Sequence, residues 1–259
     1  SKSVPVASQL IQHGENYKLT VKEEYVGLRE SHAKRQTEKN YVSLAEARAN
    51  KFTTDWNTIE PQKPNFLGTK VFENYPLEEI REYIDWTPFF QTWQMRGKYP
   101  KIMDDPEKGE EARKLFADAQ AMLDKIISEK SLQANAVMGI FPANTVGEDD
   151  IDLYQFSDNG KQEVDKSKTI AQLHFLRQQS KRSSSVPNLA LSDFVAPTEI
   201  GKTDYVGGFA VTAGIGIEKI IAEYDKQLDD YNSILVKALA DRLAEAFAEL
   251  MHENVRQEH

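Results

Sequence analysis

The sequence predicts an α+β fold in which helices pack around a mainly antiparallel sheet. Apolar residues recur at helical spacing between residues 112 and 127, which predicts a strong amphipathic helix. Short apolar runs then alternate with turn residues up to about residue 211, and their lengths and short connections favour antiparallel strands. A helical pattern returns from about Glu218 to the end. Helices before and after a run of strands are typical of an α+β domain.

The region before this pattern offers few periodic apolar positions. Residues 20–39 are charged and predicted to be helical, and residues 43–50 resemble a short capped helix. Pro61 and Pro64 interrupt regular structure. We interpret this region as a linker that lies over its neighbours, not as an independent domain.

The strands are predicted from five apolar runs that suit a half-buried sheet. These runs are residues 136–141, 151–156, 169–175, 189–195 and 205–211. The helical region after them is predicted to break near Asp229–Asp230.

Two faces are expected on the last helix. One is an apolar core stripe of Leu235, Leu239, Leu243, Ala246, Phe247 and Leu250. The opposite face carries Asp241, Glu245 and His252, interleaved with Ala238, Ala244 and Ala248. Small residues around carboxylates permit close approach by a ligand or another domain. A solvated face made of good helix formers accounts for the same pattern about as well.

Composition excludes several classes of function. The chain has 259 residues, a formal net charge of −9 and no cysteine. The acidic balance argues against a general nucleic-acid binder, and the missing cysteines exclude disulfides and sulfur-ligated metals. No apolar run approaches the roughly 20 residues of a membrane helix. The short basic stretch 177–182 is interpreted as a solvated loop.

General motifs give no nucleotide-binding or metal-binding signature. Gly201, Lys202 and Thr203 match the end of a phosphate-binding loop, but its first glycine position is Ala196. Residues 214–216 match two of the three glycines of a dinucleotide fingerprint, so a plain turn is favoured. The five histidines lack paired metal spacing, and the D-x-H-x-x-G signature of a cobalt-ligating histidine is absent.

Two aromatic-rich segments stand out: IDWTPFFQTW at 84–93 and GIFPAN at 139–144. Asp85 is a candidate helix N-cap because Pro88 follows closely. From the residues alone, a buried core with a cap is favoured over a ligand site.

Seven segments in order carry a family resemblance. They are IDWTPFFQTW (84–93), RGKYPKI (96–102), GIFPAN (139–144), LRQQ (176–179), SDFVAP (192–197), DYVGGFAV (204–211) and DDYNSILVKALADRLAEAFAE (229–249). Together they closely resemble the activation domain of cobalamin-dependent methionine synthase, over roughly residues 75–259. Residues 1–12 resemble the end of the preceding cobalamin-binding domain, and residues 13–74 the linker between them.

The resemblance implies a repair function within methionine biosynthesis from homocysteine. In this family the domain presents S-adenosylmethionine to an oxidised cob(II)alamin, and reductive methylation restores the cofactor. Cobalamin is held by the neighbouring domain, a flavodoxin-like or other flavoprotein supplies the electron, and zinc binds only elsewhere in the full enzyme. The resemblance thus implies a cytoplasmic methyltransferase fragment without a membrane or nucleic-acid partner. The isolated chain is expected to be inactive.

The resemblance also assigns roles to three carboxylates. Asp85 is expected to meet the amino group of S-adenosylmethionine, with Glu245 near the same site, and Asp241 is expected to face the docked cobalamin domain. The aromatics Phe89, Phe90 and Trp93 are expected to pack beneath the ligand. No catalytic residue or metal ligand is assigned to this chain.

One departure from the family concerns the R-P-A-P-G-Y motif, which grips S-adenosylmethionine and is absent from these 259 residues. The family fold is a C-shaped α+β domain, so this sequence is expected to hold an incomplete version, cut from a longer protein. Two alternatives remain open. One is a non-catalytic docking module for a cobalamin or flavoprotein partner that does not bind S-adenosylmethionine alone, and the other is a free-standing methyltransferase.

Overall fold

The structure is a computed structural model that describes residues 3–37, 40–157, 162–183 and 185–258. The helices in these ranges are α1 (Ser3–Thr37), α2 (Leu44–Ala49), α3 (Leu77–Arg81), α4 (Trp86–Thr92), α5 (Gly109–Glu129), α6 (Ile217–Lys226) and α7 (Asp230–Glu258). The strands are β1 (Gly68–Phe72), β2 (Gln133–Val146), β3 (Asp150–Phe156), β4 (Val164–His174) and β5 (Asp204–Ile215). Short 3-10 helices cover Lys101–Asp104, Leu191–Phe194 and Thr198–Ile200.

β2 is the strand around which the sheet is organised. It pairs antiparallel with β1, where Met138 lies opposite Lys70, and with β5, where Met138 lies opposite Phe209. β3 joins β2 in the sheet and pairs in turn with β4. Alternate residues of β2 from Ala134 to Ile140 are buried, whereas Val137 between them is exposed. This period of two is expected when one face of a strand covers a core.

The helices α5 and α7 form most of the remaining core. α7 packs against β5 and against α3, α4, α5 and α6. Every residue of the predicted stripe on α7 is buried, and the buried face of α5 runs from Ala112 to Ile126. Ala238, which the helical wheel assigns to the opposite face, is also buried. α7 therefore buries a wider face than one stripe, because it has neighbours on several sides.

The chain folds as two compact units. One comprises Ser1–Thr58, Thr145–Ile151 and Leu173–Phe194. The other comprises Ile59–Asn144, Asp152–Gln172 and Val195–His259. The second unit holds α3 to α7 and most of the sheet.

A buried ionic network organises the first unit. The guanidinium of Arg177 donates to Asp149, to both carboxylate oxygens of Asp193, and to the backbone carbonyls of Glu148 and Asn188, at 2.6–3.1 Å. The expectation of a solvated loop is therefore wrong for Arg177, whose side chain is fully buried. It holds for Lys181 and Arg182, which are exposed. Composition alone reveals a basic run but not the partners of its first residue.

The predicted fold class is confirmed, with two differences in the strands. Residues 189–195 contain a short 3-10 helix instead of a strand. Asp193 explains this turn, because its carboxylate accepts the backbone N–H of Ala190 and also pairs with Arg177. The second difference is β1, which lies within the region 13–74 that was expected to be a linker.

The helical predictions agree with the structure over the described residues. The charged helix expected at 20–39 is part of α1, except that residues 38 and 39 lie outside the described ranges. Ser43 caps α2 through a reciprocal pair of bonds with Glu46. The break expected near Asp229–Asp230 separates α6 from α7.

Candidate functional site

Asp85 begins the first element of the candidate site. Its Oδ1 accepts the backbone N–H of Thr87 at 2.8 Å, which makes it the N-cap of α4. Pro88 suits this first turn because it has no N–H that needs a partner there. The Asp85 side chain is exposed, and its Oδ2 accepts no hydrogen bond from a described residue. The cap thus fixes the carboxylate and leaves one oxygen for another partner.

The aromatic residues of α4 anchor this carboxylate on a rigid base. Phe89 and Phe90 are 0% exposed, and their rings meet edge to face at 5.5 Å. Trp86 is also buried and contacts Phe89 and Phe116 in the same geometry. The prediction of a core role is confirmed for the two phenylalanines.

Residues 83–93, which include Asp85, run alongside α7 in the opposite direction. At one end, the hydroxyl of Tyr83 donates to Glu253 at 2.7 Å. At the other end, the ring of Trp93 contacts that of Tyr231, in the first turn of α7. Because Asp85 is two residues from Tyr83, it lies towards the C-terminal half of α7, which also carries Glu245.

Asp241 and Glu245 lie on the exposed face of α7. They are separated by four residues, a rise of about 6 Å along the helix, and both side chains are exposed. Asp241 pairs with Arg242 at 2.6 Å and is 72% exposed, so this ion pair is solvated. Glu245 makes no hydrogen bond with any described residue. The structure therefore brings these two carboxylates together and carries Asp85 on a separate element packed against the same helix.

The GIFPAN segment has a structural role at its last residue. Asn144 is fully buried in β2, and its Nδ2 donates to the carbonyls of Ala196 and Lys202, each at 2.8 Å. These two hydrogen bonds connect β2 to the loop that precedes β5.

The two partial matches to nucleotide-binding loops, at residues 201–203 and 214–216, have structural explanations. Lys202 pairs with Glu60 at 2.9 Å and donates to the carbonyl of Ile59. Gly216 adopts a left-handed conformation with a φ of 99° between β5 and α6, where a side chain would be strained. A plain turn, as favoured by the sequence, is what the structure contains there.

Metal-binding and membrane-spanning features are both absent from the part of the chain that the structure describes. No group of three or more His, Asp or Glu residues there could hold a metal ion. No helix in the described ranges combines the length and the apolarity needed to cross a membrane.

Comparison with known proteins identifies the family. Residues 76–259 match the family model described as "Vitamin B12 dependent methionine synthase, activation domain". The chain belongs to this family. It is also similar to a solved structure described as "Crystal Structure of the MetH Reactivation Domain bound to AdoHcy", with 48% sequence identity and a TM-score of 0.75. The match covers 84% of this chain and 64% of that one, so the chain spans somewhat less than two thirds of this relative.

Trp93 and Tyr231 come together beside α5, a grouping that was not expected from the sequence. Trp93 is partly buried against the core that holds its two phenylalanine neighbours, and it also lines a cavity with Tyr231 and residues of α5. Trp93 ends the segment IDWTPFFQTW (84–93), and Tyr231 lies in the segment that spans 229–249. The spacing within each segment gives no signal that the two would meet.

Proposed function

We propose that this chain takes part in reactivating the cobalamin of methionine synthase by reductive methylation, as the portion that presents S-adenosylmethionine. The observation that carries the proposal is the family match over residues 76–259. The relative that was solved with AdoHcy supports a ligand of this class. On this proposal residues 1–12 end the cobalamin-binding domain, residues 13–74 link the domains, and residues 75–259 form the activation domain.

Asp85 is the residue proposed to bind the amino group of S-adenosylmethionine. An exposed carboxylate with one unengaged oxygen suits a cationic ammonium group, because a charge-assisted hydrogen bond is shorter and stronger than a neutral one. The N-cap bond and the buried rings behind it hold the carboxylate in one position. Such a fixed partner loses little conformational entropy when the ligand binds.

Glu245 and Asp241 are proposed to act on the exposed face of α7. Glu245 adds negative charge near the ligand's amino group, and Asp241 faces the docked cobalamin domain. Neither needs to donate or accept a proton in the reaction. S-Adenosylmethionine supplies the methyl group, and the chain contributes proximity by holding the ligand towards the cofactor of the neighbouring domain.

The cobalamin-binding domain of the same enzyme and a flavoprotein electron donor are the proposed partners, in the cytoplasm. The isolated chain is proposed to be an inactive fragment of this methyltransferase. The alternative is a docking module that meets a cobalamin or flavoprotein partner without binding S-adenosylmethionine alone.

Calorimetry with S-adenosylmethionine tests the proposal. The titration uses this chain and a longer protein that also carries the R-P-A-P-G-Y segment. Asp85→Asn keeps the shape and the cap but removes the charge, and hydrogen bonds to charged groups contribute on the order of 1.5–3 kcal/mol. The expected result in the longer protein is a dissociation constant weakened roughly ten- to a hundredfold.

Glu82→Gln is the matched control. Glu82 is an exposed carboxylate three residues before Asp85, so its substitution makes the same change in charge. Equal dissociation constants for Asp85→Asn and Glu82→Gln would reduce Asp85 to a helix cap. Binding by the longer protein but not by this chain would select the docking alternative for the isolated chain.

A further inference from the structure

A cavity of about 440 Å³ opens where the end of α4 meets α5 and α7. Pockets for small molecules typically enclose about 300–1,000 Å³, so this cavity has the right size for a small ligand. Its walls come from three separate elements, with Trp93 after α4, Asp118 on α5 and Tyr231 on α7. The proposed function assigns no direct ligand contact to any of these side chains.

Aromatic rings form one wall of the cavity. The rings of Trp93 and Tyr231 lie 5.2 Å apart between centroids and are inclined by 54°, and both residues line the cavity. Met95 and Leu115, both nearly buried, contribute apolar surface beside them. Faces of Trp and Tyr attract cations through the negative charge above the ring.

The charged residues that line the cavity also favour a cationic ligand. Glu111 and Asp118 contribute two carboxylates from α5, and Lys114 contributes one ammonium group. The formal sum is −1. Glu111 and Lys114 form no ion pair with any described residue, so the negative excess is not cancelled within the described chain.

The hydroxyl of Tyr231 fixes the geometry of this wall. It donates to Oδ2 of Asp118 at 2.7 Å. Burial and this hydrogen bond raise the pKa of Tyr231 to about 12, so the ring stays neutral at physiological pH. One oxygen of Asp118 thus orients the aromatic ring, and the second is not used in that bond.

Trp93 also carries an unsatisfied donor. Its Nε1 is shielded from solvent and has no hydrogen-bond acceptor among the described residues. Such donors are rare in native proteins and call for an explanation such as an internal water or a functional role.

We propose that this cavity binds a small organic ammonium ion, with its methyl or methylene groups against Trp93 and Tyr231 and its charge beside Asp118 and Glu111. The site is separate from Asp85, because α4 lies between Asp85 and Trp93. Asp85 and Trp93 cap the two ends of this seven-residue helix and are eight positions apart, which corresponds to a rise of about 12 Å. The inference does not depend on where S-adenosylmethionine binds.

Calorimetry on the 259-residue chain with a pair of probes of the same shape tests the proposal. Choline carries the cationic trimethylammonium group, and 3,3-dimethylbutan-1-ol replaces its nitrogen by carbon. We expect choline to bind about tenfold more tightly than the neutral alcohol, since cation–π attraction in a partly desolvated site reaches that size. Equal affinities, or no choline binding at millimolar concentration, would overturn the proposal.

Charge variants locate the site. Asp118→Asn keeps an acceptor for Tyr231 and should weaken choline binding without changing the affinity of the alcohol. Lys114→Gln removes the opposing charge and should strengthen choline binding. Glu129→Gln, at the far end of α5 and exposed, is the control and should change neither.

Two further results would contradict the assignment. Tighter binding of 3,3-dimethylbutyrate than of choline would mean that Lys114 dominates and that the cavity selects anions. Loss of choline binding in Asp85→Asn, with unchanged binding in Asp118→Asn, would mean that choline occupies the Asp85 carboxylate. Trp93→Phe offers an independent readout, because any change in tryptophan fluorescence on choline binding should disappear.

Discussion

Arg177 uses all five of its N–H donors inside the first unit. Its Nε donates to Asp149, and its two Nη atoms share the carboxylate of Asp193 and two backbone carbonyls. The two oxygens of Asp193 receive parallel bonds of 2.8 and 2.6 Å, a geometry that a lysine cannot reproduce. Arg177 therefore connects the segment LRQQ to Asp149 and Asp193 within the first unit.

Substitution of Arg177 tests how much of the fold depends on this network. Arg177→Met preserves volume but leaves Asp149 and Asp193 buried with fewer partners. Removing one member of a buried ion pair typically costs about 3–5 kcal/mol, so we expect a loss of that size in urea denaturation. Arg182→Met, on an exposed residue of the same basic run, should leave the free energy of unfolding unchanged. Equal effects for both variants would show that the network contributes little stability.

The pH dependence of stability follows from Asp149. Its burial disfavours the charged form, but hydrogen bonds from Arg48 and Arg177 outweigh that effect and lower the pKa of Asp149. Because the folded pKa is depressed, the stabilisation is present above the unfolded value of about 3.9 and disappears as the pH falls through the folded value.

Urea denaturation of the wild type and Asp149→Asn at pH 7 and near pH 3 checks this dependence. We expect the wild type to be the more stable protein at pH 7 and the difference to shrink in acid. A constant difference between the two proteins at both pH values would contradict the assigned direction.

At the scale of the elements, α4 joins the core to the candidate site. Phe90 is fully buried and stacks on Tyr99 at 6.4 Å, while Tyr99 donates its backbone N–H to Thr87 Oγ1. The two segments IDWTPFFQTW and RGKYPKI thus support each other. Phe90→Ala should lower the free energy of unfolding by about 3–5 kcal/mol.

Guanidinium denaturation of Phe90→Ala provides the measurement. Val71→Ala is the control, because Val71 in β1 is 64% exposed and should lose little. Unfolding of Phe90→Ala at the wild-type midpoint would show that α4 is not part of the core.

The elements with strong local signals were predictable from the sequence. The amphipathic α5 and α7 and most strands have periodic apolar patterns, and Ser43 and Asp85 are recognisable caps. β1 was not predicted because GTKVF is short, mostly exposed and preceded by prolines. The run 189–195 resembles a strand in sequence because its apolar residues look the same whether the backbone is extended or turned.

The site was predictable only in part, for a physical reason. Sequence spacing reports which residues share a helix face, so Asp241 and Glu245 could be paired in advance. It does not report which faces meet in the fold. The contact of Trp93 with Tyr231, separated by 138 positions along the chain, depends on how α4 packs along α7. The roles of Asp85, Glu245 and Asp241 themselves remain predictions.

At the scale of the whole molecule, the two proposed roles belong to different elements. Ligand binding is proposed for Asp85, which caps α4, and docking is proposed for Asp241 on α7. Asp85 is held by its cap bond to Thr87, whereas Asp241 is solvated and pairs only with its neighbour Arg242 among the described residues. A solvated charge of this kind acts on encounter with a partner more than on the stability of the chain. The two carboxylates should therefore respond to different measurements.

Asp241→Asn should weaken docking to the cobalamin-binding domain and leave ligand affinity unchanged. For an exposed charge at the edge of an interface we expect roughly a two- to fivefold effect, mainly on the association rate and larger at low salt. The measurement is surface plasmon resonance with the separately produced cobalamin-binding domain, at two ionic strengths. Glu223→Gln, an exposed carboxylate on α6, serves as the control for net charge. If Asp241→Asn and Glu223→Gln slowed association equally, the effect would come from total charge, and α7 would not be the docking face.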